Sequence, residues 1–171
     1  MAHSFTPVNI AILTVSDSRQ VENDTSGNVL EEKARGDGHN VVERTIVVDD
    51  IYQIRAIISR WIADNHVDVI ISTGGTGLTG RDGTPEAVSV LFDKEIVGFG
   101  ELFRTISYQE IQTSTVQSRA IAGVANGTFI FSLPGSSGAC RTAWDSILHS
   151  QLDSRHKPCN FVELIPRLLE K

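Results

Sequence analysis

Residues 67–77 read Val-Asp-Val-Ile-Ile-Ser-Thr-Gly-Gly-Thr-Gly, an apolar run that changes abruptly into glycine. The run over residues 67–72 is β-branched and mostly apolar, which predicts a strand buried on both faces of a parallel sheet. The glycines that follow leave backbone N–H groups uncovered and permit positive φ, as an anion-binding loop requires. The predicted loop consists of Thr73, Gly74, Gly75, Thr76 and Gly77.

The chain then continues through Arg81 and Asp82 to Thr84-Pro85-Glu86, which predicts a helix with Thr84 as N-cap and Pro85 at its first position. Ligands of open α/β sheets bind outside the carboxyl ends of the strands, where this loop would lie. The spacing matches neither a Walker A loop nor the dinucleotide fingerprint that opens a first βα unit. A loop that only turns the chain is the alternative, but so many bare amides and a charged pair favour a binding site.

Composition limits the classes of protein to consider. A length of 171 residues predicts a single domain spanning residues 1–171. The net charge of −6 and the absence of a Lys/Arg run argue against a nucleic-acid surface. Two isolated cysteines, Cys140 and Cys159, suit neither a disulfide framework nor a zinc site and indicate a reducing compartment. Met1–Pro7 lacks signal-peptide features and no apolar run reaches membrane length, so a cytoplasmic location without membrane contact is expected.

The order of elements predicts the fold class. Apolar β-branched runs alternate with helical patterns, which implies a three-layer α-β-α sandwich with a mostly parallel sheet. A helix is expected near residue 102, with Leu102 and Phe103 facing inward, and residues 113–124 are given a weaker helical assignment. The predicted strands cover residues 8–15, 41–48, 67–72 and 128–133, and the other helices begin near residues 25, 51, 85 and 139.

Polar residues fall where the predicted strands end. Ser16-Asp17 follows the first strand, Asp49-Asp50 the second, and Pro134-Gly135-Ser136 the last. Parallel strands bring these segments and the glycine loop to one edge of the sheet. Asp50 precedes Gln53 by three residues, which favours a helix cap over a ligand-binding role. Ser16 and Asp17 suit a turn and a binding site equally well.

Residues 73–77 together with Arg81-Asp82-x-Thr84-Pro85 resemble the molybdopterin-binding family, which includes the Mog and MoaB proteins of molybdenum cofactor biosynthesis. The resemblance covers nearly the whole chain and implies that family's α/β fold. Ser118-Arg119-Ala120 and residues 139–144 are most similar to the MoaB branch. Further matching stretches are residues 12–17, 24–27, 98–101 and 133–136.

The resemblance implies that molybdopterin and ATP, with Mg²⁺, react to give adenylyl-molybdopterin and pyrophosphate. It assigns catalysis to Asp49 and Asp82, with Asp50 as the alternative because Val48 replaces a proline frequent in relatives. Because Mg²⁺ prefers one or two carboxylates plus phosphate oxygens and water, Asp49 and Asp82 are expected either to hold Mg²⁺ or to act as positioning residues through water. Arg81 is assigned either to a phosphate or to an ion pair with Asp82. The remaining residues expected to bind pterin or nucleotide phosphate are Ser16, Thr73, Gly74, Gly75, Thr76, Gly77, Pro134, Gly135 and Ser136.

The resemblance also implies a homotrimer or a hexamer, with the aromatic residues of segment 98–108 as a candidate contact, and leaves room for other proteins of the pathway as partners. A non-catalytic pterin-binding accessory protein is the alternative function. A Rossmann-type oxidoreductase is disfavoured because the first strand lacks its glycine fingerprint. The five histidines have no metal-site spacing and are expected to be structural or on the surface.

Overall fold

A computed structural model describes residues 4–170, and its central element is a six-stranded sheet in the order β2-β1-β3-β6-β5-β4. The pairs β1–β2, β1–β3 and β3–β6 are parallel, whereas β5 is antiparallel to both β6 and β4. The strands are β1 Asn9–Val15, β2 Asn40–Val47, β3 Val69–Thr73, β4 Lys94–Glu95, β5 Ile121–Ala125 and β6 Thr128–Leu133.

Helices cover both faces of the sheet, which confirms the three-layer α-β-α sandwich. The α-helices are α1 Thr25–Gly36, α2 Ile51–Ile62, α3 Thr84–Ser89, α4 Val97–Ile111, α5 Ser137–Ala143 and α6 His149–Gln151. A π-helical segment, Trp144–Leu148, joins α5 to α6, and 3₁₀ turns cover Val21–Asn23, Gln112–Gln117 and Val162–Arg167. Within residues 4–170, none of these helices is both long and apolar enough to cross a lipid bilayer.

Side-chain alternation along the strands divides the core into two layers. Ile10 and Ile12 of β1 pack with α1, α4 and the α5–α6 segment, whereas Ala11 and Leu13 pack with α2 and α3. All seven residues of β1 except Asn9 are buried, as expected for a strand covered on both faces. The tail packs Phe161 and Val162 against the first of these layers.

The segment after α4 differs from the prediction. Residues 113–124 were expected to be helical, but only a 3₁₀ turn over Gln112–Gln117 forms there, and β5 follows it. Asn126 and Gly127 adopt φ of 47° and 82°, and two consecutive positive values are typical of a tight hairpin turn that pairs β5 with β6.

Two local predictions near the site are also wrong. Thr84 is the first residue of α3 rather than its cap, and Gly83 holds the N-cap position. The Thr84 hydroxyl donates to the carbonyl oxygen of Gly74 at 2.9 Å, so it ties the helix to the glycine loop. Leu102 is 47% exposed, because Phe99 and Phe103 occupy the buried positions of α4.

Candidate functional site

A cavity of about 680 Å³ opens at the carboxyl ends of β1, β2, β3 and β6. This volume is in the usual range for small-molecule sites. The cavity gathers all of the residues expected at the site, which confirms their predicted convergence on one edge of the sheet. They are Ser16, Asp49, Thr73, Gly74, Gly75, Thr76, Gly77, Arg81, Asp82, Pro134, Gly135 and Ser136.

The glycine loop adopts a conformation that only glycine tolerates well. Gly74 and Gly75 have φ of 103° and 65°. A Cβ atom on Gly74 would lie 2.1 Å from the carbonyl oxygen of Val15, so β1 and the loop approach too closely for a side chain.

Some of the N–H groups of the glycine loop have partners within the protein, and others are bare as expected. The N–H of Gly74 donates to the carbonyl oxygen of Leu133 at 3.0 Å, and the N–H of Gly77 faces the carboxylate of Asp82. The N–H groups of Gly75 and Thr76 find no acceptor among residues 4–170. These two amides are therefore the donors that a bound anion could use.

The Thr73 hydroxyl, which is expected to contact phosphate, joins the glycine loop to the loop after β6 in this structure. It donates to the carbonyl oxygen of Pro134 at 2.9 Å and lies 3.2 Å from the sulfur of Cys140. Ser136 accepts a hydrogen bond from the N–H of Ala139 at 3.1 Å and caps α5. Its own hydroxyl proton stays available to a ligand, because capping uses only the oxygen lone pair.

Asp49, and not Asp50, lies in the cavity. Asp49 accepts a hydrogen bond from the N–H of Gly83 at 3.1 Å. Asp50 accepts from the N–H groups of Tyr52 and Gln53 at 3.0 and 2.9 Å and caps α2, as its spacing predicted. Of the two candidate carboxylates after Val48, Asp49 lines the cavity and Asp50 caps a helix.

The Asp49 carboxylate is incompletely compensated. Burial raises its pKa above the ordinary value, the hydrogen bond from Gly83 opposes that rise, and the negative charges of Asp82 and Asp17 add to it. Ionised Asp49 is therefore disfavoured by its surroundings, and a bound cation would relieve this.

Asp82 has the opposite environment. Its Oδ2 accepts from the N–H and the hydroxyl of Thr79 at 2.9 and 2.6 Å. The hydroxyl contact is the main reason why the pKa of Asp82 is lowered, although partial burial opposes it. Asp82 is therefore ionised and fixed in orientation at neutral pH.

Arg81 pairs with Asp17 rather than with Asp82. Its Nε and Nη2 donate to the two carboxylate oxygens of Asp17 at 2.9 and 2.7 Å. This contact lowers the pKa of Asp17, which also accepts from the N–H of Asp49 at 3.0 Å. Asp17 was expected to belong either to a turn or to a binding site. In the structure it links the end of β1 to Asp49, which follows β2, and to Arg81 in the loop after β3.

Two further arginines hold the loops in place, and neither was among the residues expected at the site. Arg119 donates from Nε to the carbonyl oxygen of Gly77 at 2.8 Å and from Nη2 to that of Asp82 at 3.0 Å, and it pairs with Glu86. Arg19 donates to the hydroxyl of Ser26 at 2.8 Å and to the carbonyl oxygen of Gly135 at 3.3 Å.

The α4 side of the cavity was also not anticipated. Its residues recur three to four positions apart, a pattern typical of one helix face, and attention to that period would have found them. They are Phe103, Ser107, Glu110 and Ile111 of α4, followed by Ser114 and Gln117 of the 3₁₀ turn and by Ser118.

The donor set fits a hard, oxygen-binding cation that is held partly by its substrate. Asp49 and Asp82 supply carboxylate oxygens, as Mg²⁺ prefers when substrate phosphates complete its coordination. Among residues 4–170, no cluster of three or more His, Cys, Asp or Glu side chains is arranged as a metal site. His39, His66, His149 and His156 lie outside the cavity lining, and His3 lies outside the described residues.

Comparison with known proteins identifies the family. A family model described as "Probable molybdopterin binding domain" matches residues 11–154. Molybdenum cofactor biosynthesis protein B of Escherichia coli K12 is 57% identical over 157 residues, 92% of each chain.

Solved structures agree with this match. A crystal structure of a molybdenum cofactor biosynthesis protein B has a TM-score of 0.85 at 46% identity, covering 88% of this chain and 94% of that one. The tungsten cofactor synthesizing protein MoaB from Pyrococcus furiosus has a TM-score of 0.75 at 37% identity, covering 83% and 91%. Because the family model spans most of the chain and these relatives match nearly throughout, the chain belongs to the molybdopterin-binding domain family and is similar to MoaB proteins within it.

Proposed function

We propose that this protein works in molybdenum cofactor biosynthesis and that it adenylylates the terminal phosphate of molybdopterin with Mg-ATP. The observation that carries the proposal is the juxtaposition of two kinds of group in one cavity. The free amides of Gly75 and Thr76 suit phosphate oxygens, and the carboxylates of Asp49 and Asp82 suit a phosphate-bound cation.

The reaction needs alignment more than it needs acid–base catalysis. A phosphate monoester has a second pKa of about 6 and is mostly dianionic at neutral pH. One of its oxygens attacks the α-phosphorus of ATP and forms a new P–O bond. The bond from the α-phosphorus to the bridging β oxygen breaks, and pyrophosphate leaves with that electron pair. No proton has to be removed from the nucleophile, so the protein must bring two polyanions together and orient them.

The chain supplies donors around the predicted path of the phosphates. The N–H groups of Gly75 and Thr76 bind phosphate oxygens, and the hydroxyls of Ser16 and Ser136 add donors on either side. The guanidinium of Arg81 also lines the cavity, where its ion pair with Asp17 holds it in orientation.

Asp49 and Asp82 would hold the magnesium ion. When bound, Mg²⁺ neutralises part of the negative charge on the phosphate chain. The raised pKa of Asp49 fits this role, because a cation near this carboxylate stabilises its ionised form. Asp82 suits magnesium binding for another reason, because its contacts with Thr79 fix the orientation of the carboxylate.

We extend the proposal to assembly as a homotrimer or as a hexamer built from two trimers. The buried positions of Phe99 and Phe103 leave Tyr108 as the exposed aromatic residue of segment 98–108. Exposed apolar side chains nevertheless continue along α4, which is consistent with a contact surface. They are Val97, Leu102, Tyr108 and Ile111. Sedimentation at micromolar concentration is expected to show a trimer or larger, and a monomer would contradict this part.

Product formation tests the proposed chemistry. The protein is incubated with molybdopterin, Mg²⁺ and ATP labelled at the α-phosphate. Label should appear on the pterin together with one equivalent of pyrophosphate. Binding of the pterin without label transfer would instead favour the non-catalytic accessory function.

A further inference from the structure

The cavity has a polar wall that the phosphate chemistry does not use. This wall is formed by α4 and the following 3₁₀ turn, and its acidic side chain is Glu110. The hydroxyl of Thr142 lies 3.0 Å from each carboxylate oxygen of Glu110 and 3.1 Å from the carbonyl oxygen of Gly138. One hydroxyl proton serves one acceptor at a time, so both oxygens of Glu110 keep open lone pairs.

The Glu110 side chain is exposed and has no salt-bridge partner among residues 4–170, so it is accessible to a ligand. The same wall carries an unsatisfied group, the buried hydroxyl oxygen of Ser118, which has no hydrogen-bond partner in the described part of the chain. Phe103, Ile111 and Ala139 add apolar surface beside these groups. Apolar surface with a few convergent polar groups is typical of a site for a flat heterocycle.

We propose that the carboxylate of Glu110 binds the 2-amino-4-oxo edge of the pterin through its ring N3–H and its exocyclic amino group. The assignment rests on the proposed function, from which the identity of the substrate is taken. These two N–H groups lie side by side on the heterocycle, as in a guanidinium group. They match the two oxygens of one carboxylate, a pairing that is both stronger and more directional than a single neutral hydrogen bond.

The Glu110 carboxylate would also discriminate against adenine, the base of ATP. Adenine presents its amino donor next to a ring-nitrogen acceptor, so a carboxylate, which only accepts, cannot satisfy both positions. The α4 wall is therefore the pterin subsite, and the glycine loop receives the phosphates.

The binding of two small heterocycles, pterin and lumazine, tests the proposed role of Glu110 in the absence of nucleotide. Pterin carries the 2-amino group, whereas lumazine has a carbonyl oxygen at that position and sets an acceptor against the carboxylate. Calorimetric titration of the full chain should show that pterin binds about tenfold more tightly than lumazine, since mismatched polar groups weaken a complex by this order. Glu110→Gln should lose most of that preference and should bind pyrophosphate as the parent does.

Glu101→Gln is the matched control, because Glu101 lies on the same helix outside the cavity lining. It should keep the parental preference. The inference is overturned if the parent does not bind pterin, if it binds both fragments equally, or if Glu110→Gln keeps the preference. Label transfer plays no part in this readout, so a chain that selects pterin but makes no adenylylated product refutes the proposed reaction and supports the subsite.

Discussion

The guanidinium of Arg119 donates from Nε to the carbonyl oxygen of Gly77 at 2.8 Å. The same side chain reaches the carbonyl oxygen of Asp82 at 3.0 Å and pairs with Glu86 of α3. Arg119 therefore joins both ends of the segment 77–82, which carries one of the two proposed catalytic carboxylates. Since Arg119 touches main-chain oxygens and not the expected position of the reacting phosphates, its role is one of positioning.

Replacing Arg119 by lysine tests this role. Lysine keeps the charge opposite Glu86 but cannot donate in two fixed directions at once. We expect turnover to fall about tenfold or more with pterin affinity little changed, because small displacements of a catalytic group are costly. Arg60→Lys, in an exposed pair with Glu43, is the control and should leave turnover unaltered. A lowered pterin affinity with parental turnover would contradict the positioning role.

Gly77 offers a second way to displace Asp82. A Cβ atom at Gly77 would lie 2.6 Å from Oδ2 of Asp82, whereas one at Gly80 meets nothing within 4 Å. Gly77→Ala should therefore push the carboxylate aside and reduce turnover by about a hundredfold, whereas Gly80→Ala in the same loop should be nearly neutral. The comparison requires steady-state assays of both variants and their thermal midpoints. Equal activities would mean that the position of Asp82 does not matter.

The sequence was informative where a single segment determines its own structure. The apolar run over residues 67–72 predicts a buried strand, and β3 is buried throughout its five residues. Asp50 caps α2 as its spacing to Gln53 predicts, and α1 begins at Thr25, where a helix was expected to start. The convergence of polar residues on one edge follows from the parallel pairing of β1, β2, β3 and β6.

Local sequence patterns gave wrong predictions where contacts between distant segments determine the partner of a side chain. Thr84 looks like a cap, but its hydroxyl bonds to Gly74 because the loop folds back over α3. Arg81 lies next to Asp82 in sequence, yet it pairs with Asp17, 64 positions away. The hairpin turn at Asn126-Gly127 was readable from its residue types, and it was missed because the preceding segment was given a weak helical assignment.

The environment of Asp49 predicts a gain in stability on removal of its charge. Its pKa is raised in the folded protein, so the folded state favours the protonated form, and stability is lost as the pH rises through that pKa. Asp49→Asn should therefore raise the thermal midpoint at pH 7 while abolishing most activity. The gain should shrink as the pH falls towards about 4, near the unfolded pKa of aspartate. A variant less stable than the parent at pH 7 would show that the charge of Asp49 is already compensated.

Asp50 should behave differently from its neighbour. Its carboxylate accepts from two N–H groups of the first turn of α2 and lies outside the cavity. Asp50→Ala should cost about 1 kcal/mol of unfolding free energy and leave turnover near the parental value. Chemical denaturation and the transfer assay together check this. If Asp50→Ala folds but loses activity, the catalytic role belongs to Asp50 and not to Asp49.

The central claim is that Asp82 acts on the phosphates in the reaction, and Asp82→Asn measures this most directly. Asparagine keeps the shape of the side chain and can still accept from Thr79, but it cannot neutralise a cation. Pyrophosphate release from Mg-ATP with molybdopterin should fall about a hundredfold or more relative to the parent, with unchanged pterin affinity. A folded Asp82→Asn protein that releases pyrophosphate at the parental rate would contradict the account.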